Sequence, residues 1–137
     1  MVRVSAITLA LILFSGCSLF NSSDNSELDD ARARWTRAGI SDYNYELTIS
    51  CFCGETGTFD VEVRNGAVVS VTPSASVGKT MDELFGVLAD AYGRNADVTT
   101  VSYDALLGYP TSISIDYIRN VSDDELFYGV DSFERLN

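Results

Sequence analysis

From Tyr43 onward the chain alternates. Tyr43, Tyr45, Leu47, Ile49, Cys51 and Cys53 fall on one side, and Asn44, Glu46, Thr48 and Ser50 on the other. An apolar period of two fits an extended strand with one dry and one wet face, and no helix satisfies it. Phe59, Val61 and Val63 repeat the pattern against Asp60, Glu62 and Arg64 before Asn65-Gly66. Two more alternating segments follow, one with Val101 and Tyr103, the other with Ile113, Ile115 and Tyr117, joined through Leu106-Leu107-Gly108-Tyr109-Pro110. A last strand is expected from about Leu126 to Phe133.

Asn65-Gly66 marks a hairpin, and two registers compete there. A two-residue turn pairs Val63 with Val68 and Val61 with Ser70. A three-residue loop with Gly66 at positive φ pairs Val63 with Ala67, Val61 with Val69 and Phe59 with Val71. The second keeps apolar residues opposite apolar residues and is the expected register, because a one-residue slip turns a whole strand inside out.

Two segments have helical spacing instead. Leu28, Ala31, Trp35 and Ala38 recur at three to four residues, with Ser26 as the expected N-cap and Gly39 as the stop. Thr80-Met81-Asp82-Glu83 matches a capping box, and Met81, Leu84, Phe85, Leu88 and Tyr92 form one apolar stripe that Gly93 ends. The sum is an α+β fold of about six mostly antiparallel strands, order αβββαβββ, with two helices packed on one sheet face and the other face wet.

The amino terminus follows a different logic. One positive charge, Arg3, precedes an apolar run from Val4 to Phe14, about half the roughly 20 residues that a spanning helix needs. The run ends at Ser15-Gly16-Cys17 and resembles the lipobox of bacterial lipoproteins, in which a cysteine receives diacylglycerol before cleavage. Phe14 departs from the usual leucine, which stands one place earlier as Leu13. The expectation is a leader over residues 1–16, a lipidated Cys17 with a polar tether over residues 17–26, and one domain over residues 27–137. Two or three acyl chains on one cysteine make a stable anchor, as with diacylglycerol plus palmitate. Ser18 carries none of the retention character of an aspartate there. The expected address is the cell envelope, and in a two-membrane bacterium the periplasmic face of the outer membrane.

Charge narrows the partners. With 9 basic against 20 acidic residues the chain carries −11, and losing Arg3 makes it more negative. Nucleic acid needs a basic footprint, so it is not an expected partner. An anionic bilayer is repelled too, which leaves the covalent lipid on Cys17 to hold the membrane. With no histidine, Ser-His-Asp and Cys-His catalysis are excluded within the chain, and the commonest zinc ligand is missing.

Cys51-Phe52-Cys53 is the sharpest motif. In an oxidising compartment it reads as a structural disulfide, as two buried thiols continuing the apolar face, as a reducible redox pair, or as part of a soft-metal site. Alternate residues of a regular strand stand at the upper limit for a disulfide, so a bond needs a kink, which Gly54, Thr56 and Gly57 permit. The carboxylates of Glu46, Asp60 and Glu62 read as the wet sheet face, and Asp123-Asp124-Glu125 as a turn. Neither has the spacing of a calcium loop. Lys79, the only lysine, sits before a helix cap where exposure is the rule. Tyr109, between Gly108 and Pro110, is the preferred binding residue, set against the plainer role of a loop anchor. No metal or cofactor is expected.

Together Trp35, Tyr43-x-Tyr45, Cys51-Phe52-Cys53, Asn65-Gly66, Leu84-Phe85, Tyr103, Gly108-Tyr109-Pro110, Ile113-x-Ile115-Asp116 and Asp124-Glu125 resemble a family of bacterial lipoproteins known only as a domain of unknown function. The resemblance spans Trp35 to Phe133. It implies an envelope location and brings no activity. The expected function is a non-catalytic module binding an envelope protein or glycan, with thiol-redox or metal handling at Cys51 and Cys53 as the alternative.

Overall fold

In a computed structural model the described residues are 22–73, 76–121 and 123–137. Cys17, the leader and the first part of the expected tether lie outside them. The elements are α1 (Ser22–Ala38), β1 (Tyr43–Cys51), β2 (Gly57–Arg64), β3 (Ala67–Thr72), α2 (Met81–Gly93), β4 (Val98–Tyr103), β5 (Pro110–Asp116) and β6 (Glu125–Arg135). The six strands form one antiparallel sheet in the order β3-β2-β1-β6-β5-β4.

The alternation read at Tyr43 sets the two faces. Leu47 stands opposite Phe59 on one side and Val130 on the other, and Ile49 is opposite Tyr128, which is in turn opposite Ile113. These residues are buried with Leu28, Ala31 and Trp35 of α1 and Met81, Leu84, Phe85, Leu88 and Ala91 of α2. Both helices therefore cover one face. The opposite face carries Glu46, Thr48, Thr58, Asp60, Ser112 and Ser114 in adjoining rows.

Three bulges correct the strand phase, and two bear on the core. The hairpin at Asn65-Gly66 is a two-residue turn, with φ of 51° and 72°, pairing Arg64 with Ala67 and Val63 with Val68. The expected three-residue register is wrong at the turn. One residue further along β3 the register shifts at Val69, so Val61 meets Val71 and not Ser70. Val68 and Val71 both pack on the core while Val69 is pushed out. Apolar-on-apolar pairing is reached by a bulge, not by loop length. In β6 the shift falls where Tyr45 faces two residues, and Ser132 takes φ 52°. Strict alternation from Val130 would send Phe133 outward; the extra residue turns it in.

The helices depart from expectation at their ends. α1 is already formed at Ser22, so residues 22–26 are helical and Ser26 lies inside the helix. Gly39 does end it, at φ 60°. At Thr80 the capping box is complete: Glu83 N–H donates to Thr80 Oγ1 at 3.2 Å, and Thr80 N–H to Glu83 Oε2 at 2.6 Å. Gly93 is the last helical residue, and the left-handed turn falls two residues later at Asn95, φ 55°.

Although each half reads helix then three strands, the topology is not repeated. The strand after α1 is central, whereas the strand after α2 lies at the far edge. Antiparallel order puts the β1–β2, β5–β6 and α2–β4 connections at one end of the sheet, here the Cys51 end. The Asn65 turn and the β4–β5 loop lie at the other.

Candidate functional site

β1 stops at Cys51, not at Cys53, and Phe52 to Gly54 bend away. The bend draws the two Cα atoms to 5.2 Å and the cysteines are joined in a disulfide. Closing a ring across one intervening residue turns that residue out, and the Phe52 ring stands in solvent. On the core side Cys53 lines a cavity of about 330 Å3 with Ile49, Glu55, Lys79 and Tyr128. Lys79 is half-buried rather than exposed, its Nζ 5.8 Å from the Tyr128 ring centroid, within cation–π range. On the wet side Cys51 and Phe52 border a cavity of about 240 Å3 with Ser114, Asp123, Glu125 and Phe127. Among the described residues no three Cys, Asp or Glu side chains cluster as a metal would require.

A cavity of about 430 Å3 lies beside the start of α1. Asp24 and Asn25 face Tyr92, Asn95, Asp97, Thr99 and Arg119 across it. Asp97 Oδ2 accepts the Arg119 main-chain N–H at 2.6 Å and ties the β5–β6 loop to the α2–β4 turn. Sequence reasoning missed this site, since three separate segments build it and only Asn95, a residue tolerant of positive φ, hints at the tight turn.

The wet sheet face is mostly polar, with Phe127 as its large apolar ring. Phe127 lies alongside Gly129, where an added Cβ would meet its ring at 3.2 Å, so the ring occupies space that a side chain would otherwise fill. Glu46 accepts a hydrogen bond from Ser132, Thr48 bonds Thr58 at 3.1 Å, and Glu62 pairs with Arg64 at 2.7 Å.

Tyr109 is not a surface residue. It is 9% exposed, stacks on Phe133 with centroids 4.5 Å apart, and meets the edge of Trp35 at 6.1 Å. Gly108 lets it in: at φ 84° it lies against α1, where a Cβ would collide with the Ala31 carbonyl oxygen and stand 2.9 Å from Arg34 Cβ. The loop-anchor role is the one observed, and the binding role expected of Tyr109 is withdrawn.

Residues 27–135 match a family model described as a family of unknown function, DUF6174. The chain belongs to that family. No curated protein and no solved structure matches it. The residues that carry the resemblance explain why the DUF6174 match brings no chemistry with it. Trp35, Tyr43 and Tyr109 form one aromatic cluster with Phe133, and Leu84, Phe85, Ile113 and Ile115 are core. Among the described residues of this DUF6174 domain, exposed landmarks are found at the Cys51-Phe52-Cys53 turn, at the Asn65-Gly66 hairpin turn and at the acidic β5–β6 loop.

Proposed function

We propose that this DUF6174 chain is a cell-envelope lipoprotein, cut before Cys17 and held by lipid there, whose domain is a non-catalytic module binding an envelope protein or glycan. One observation carries the binding role: among the described residues nothing covers the outer face of the six-stranded sheet, and both helices lie on the other side. Hydroxyl and carboxylate rows around Phe127 offer hydrogen bonds and one apolar platform, the composition of an adaptable polar contact. The anchor is supported by the leader pattern and by the acidic charge, which leaves lipid as the means of attachment. In a two-membrane bacterium the periplasmic face of the outer membrane suits Ser18.

A photo-crosslinker at Thr48 or Ser114 in intact cells should capture a discrete partner, lost on Phe127→Ser. The same crosslinker at Asp82, on the helical side, should not capture it. Equal capture from both sides removes the binding reading. Cys17→Ser should release the chain or leave it unprocessed, and a variant that stays bound and normally cleaved removes the anchor.

A second reading, thiol redox, draws on Cys53 sharing a cavity with Lys79. A nearby ammonium favours a thiolate and hence reductive opening. Intact mass across a graded glutathione series tests it: a pair that stays oxidised throughout is structural only.

A further inference from the structure

We propose that the Cys51 end of the sheet is a second contact surface, docking against the same bilayer that carries the Cys17 lipid. This rests on the anchor reading above and adds an orientation to it. Large apolar side chains stand exposed on two loops there: Phe52 at 80%, Ile118 at 57% and Val121 at 46%. Singly such residues mean little, but neighbouring ones mark a contact. The loops adjoin, since Phe52 and Asp123 border one cavity.

The occupant follows from the chain. Cys17 lies five residues ahead of Ser22, which at about 3.6 Å per residue allows a reach of at most about 18 Å. The first turn of α1 opens at this same end, because Asp24 and Asn25 share a cavity with Arg119, between Ile118 and Val121. A lipid on Cys17 therefore holds the β5–β6 loop within a short tether of the bilayer. Around the apolar tips stand an exposed Arg119 and Arg94, whose guanidinium lies 4.4 Å from the Tyr117 ring centroid. Apolar tips rimmed by arginine and tyrosine suit the headgroup boundary. The carboxylates of Asp123 and Glu125, which border the same cavity as Phe52, join the acidic remainder of the surface in directing the tips to uncharged lipid. End-on docking sets the sheet across the membrane plane, leaving its wet face open to a partner.

Leu106 supplies the control. It is 86% exposed but sits at the Asn65 end. Adsorption by hydrophobicity alone would engage it; a short tether at the opposite end does not.

The test is amide exchange on the full chain extracted from membranes, reconstituted into phosphatidylcholine vesicles and compared with detergent. Vesicles should slow exchange at residues 52–54 and 118–121 and leave residues 105–107 unchanged. Phe52→Ser with Ile118→Ser should abolish the slowing, with Leu47 and Ile113 amides still protected to show that the fold is intact. No slowing at these loops, equal slowing at residues 105–107, or slowing only with added phosphatidylglycerol overturns the proposal. The mass of the amino-terminal peptide judges the anchor separately. If Cys17 carries no acyl chain, the anchor reading falls; loop protection of that chain on vesicles would still uphold the docking surface, and its absence would remove both.

Discussion

The hydroxyl of Tyr43 accepts the main-chain N–H of Met81 at 2.9 Å. One strand residue thus satisfies a donor that the first turn of α2 leaves without an intrahelical partner. Tyr45, beside it on β1, donates its hydroxyl to the carbonyl of Lys79. The Tyr-x-Tyr pair holds both sides of the Thr80 cap and fixes where α2 begins on the sheet. Tyr43→Phe keeps the ring and strands a buried N–H, which should cost about 1–3 kcal/mol. Urea denaturation should show an earlier midpoint at unchanged slope; an unchanged midpoint would mean that the bond contributes nothing.

The same tyrosines make stability depend on alkali. Burial pushes the Tyr43 hydroxyl up to about 12, aided by Asp82 and Glu83 and opposed by the Met81 hydrogen bond. Burial also raises Tyr45 and Tyr103. The folded pKa lies above the unfolded value near 10, so the folded state keeps protons that the unfolded state loses. Stability from these groups is whole below pH 10 and falls as pH rises toward 12. Melting temperature recorded from pH 8 to 12 should drop above pH 10, less steeply in Tyr43→Phe, where Tyr45 and Tyr103 still titrate. Identical slopes would remove Tyr43 from the account.

Gly108 fails as alanine for two separate reasons. Its φ of 84° disfavours any Cβ, and the Cβ would collide with the Ala31 carbonyl of α1. Gly108→Ala should destabilise by about 2–4 kcal/mol, enough to lower Tm by some 10 °C or more. Gly86, where a Cβ meets nothing within 4 Å, is the control, and Gly86→Ala should be neutral or stabilising. Equal effects at the two positions would refute the close approach.

The strands and α2 were legible because their periods are undisturbed: Tyr43 to Cys51 and Met81 to Leu88 keep two and 3.6 without a break. Bulges were not. Nothing local distinguishes Val69 or Ser132 from neighbours in phase, since each extra residue answers to pairing across the sheet. The helical start at Ser22 was hidden by a polar run whose composition fits a tether equally well. Tyr109 was misjudged because a Gly-Tyr-Pro loop looks exposed until α1 is laid over it. That a Cys51–Cys53 bond needs a kink was readable from strand geometry, but the choice between a bond, free thiols and a metal site was not, and the cavity beside α1 depends on which loops meet at one end, which periodicity does not encode.

Phe133 tests the bulge. It stacks on Tyr109 and packs 5.4 Å from the Tyr43 ring, yet strict alternation from Val130 would expose it. Ser132 at φ 52° absorbs the extra residue. Ser132→Val resists that conformation and should cost about 1–2 kcal/mol. Ser132→Gly relaxes the backbone but loses the bond to Glu46, so it should lie near neutral. If valine is as stable as glycine there, the left-handed turn is not what holds Phe133 inward.

The disulfide closes so small a ring that it restrains little of the unfolded chain. The chain-entropy relation for a three-residue loop gives about 1.6 kcal/mol, below the usual 2–4 kcal/mol. Cys51→Ser with Cys53→Ser should therefore leave the sheet folded and lower stability by no more than about 2 kcal/mol. The larger effect should be local. Without the bond the chain can run on in extended form past Cys51, with Cα atoms two apart separating from 5.2 Å toward about 6.7 Å, and Phe52 loses its fixed outward aim. Exchange at residues 52–56 should rise well above that of the parent while Leu47 and Val130 stay protected. Global unfolding on removal would show instead that the turn nucleates the β1–β2 pairing, a role that so short a loop does not predict.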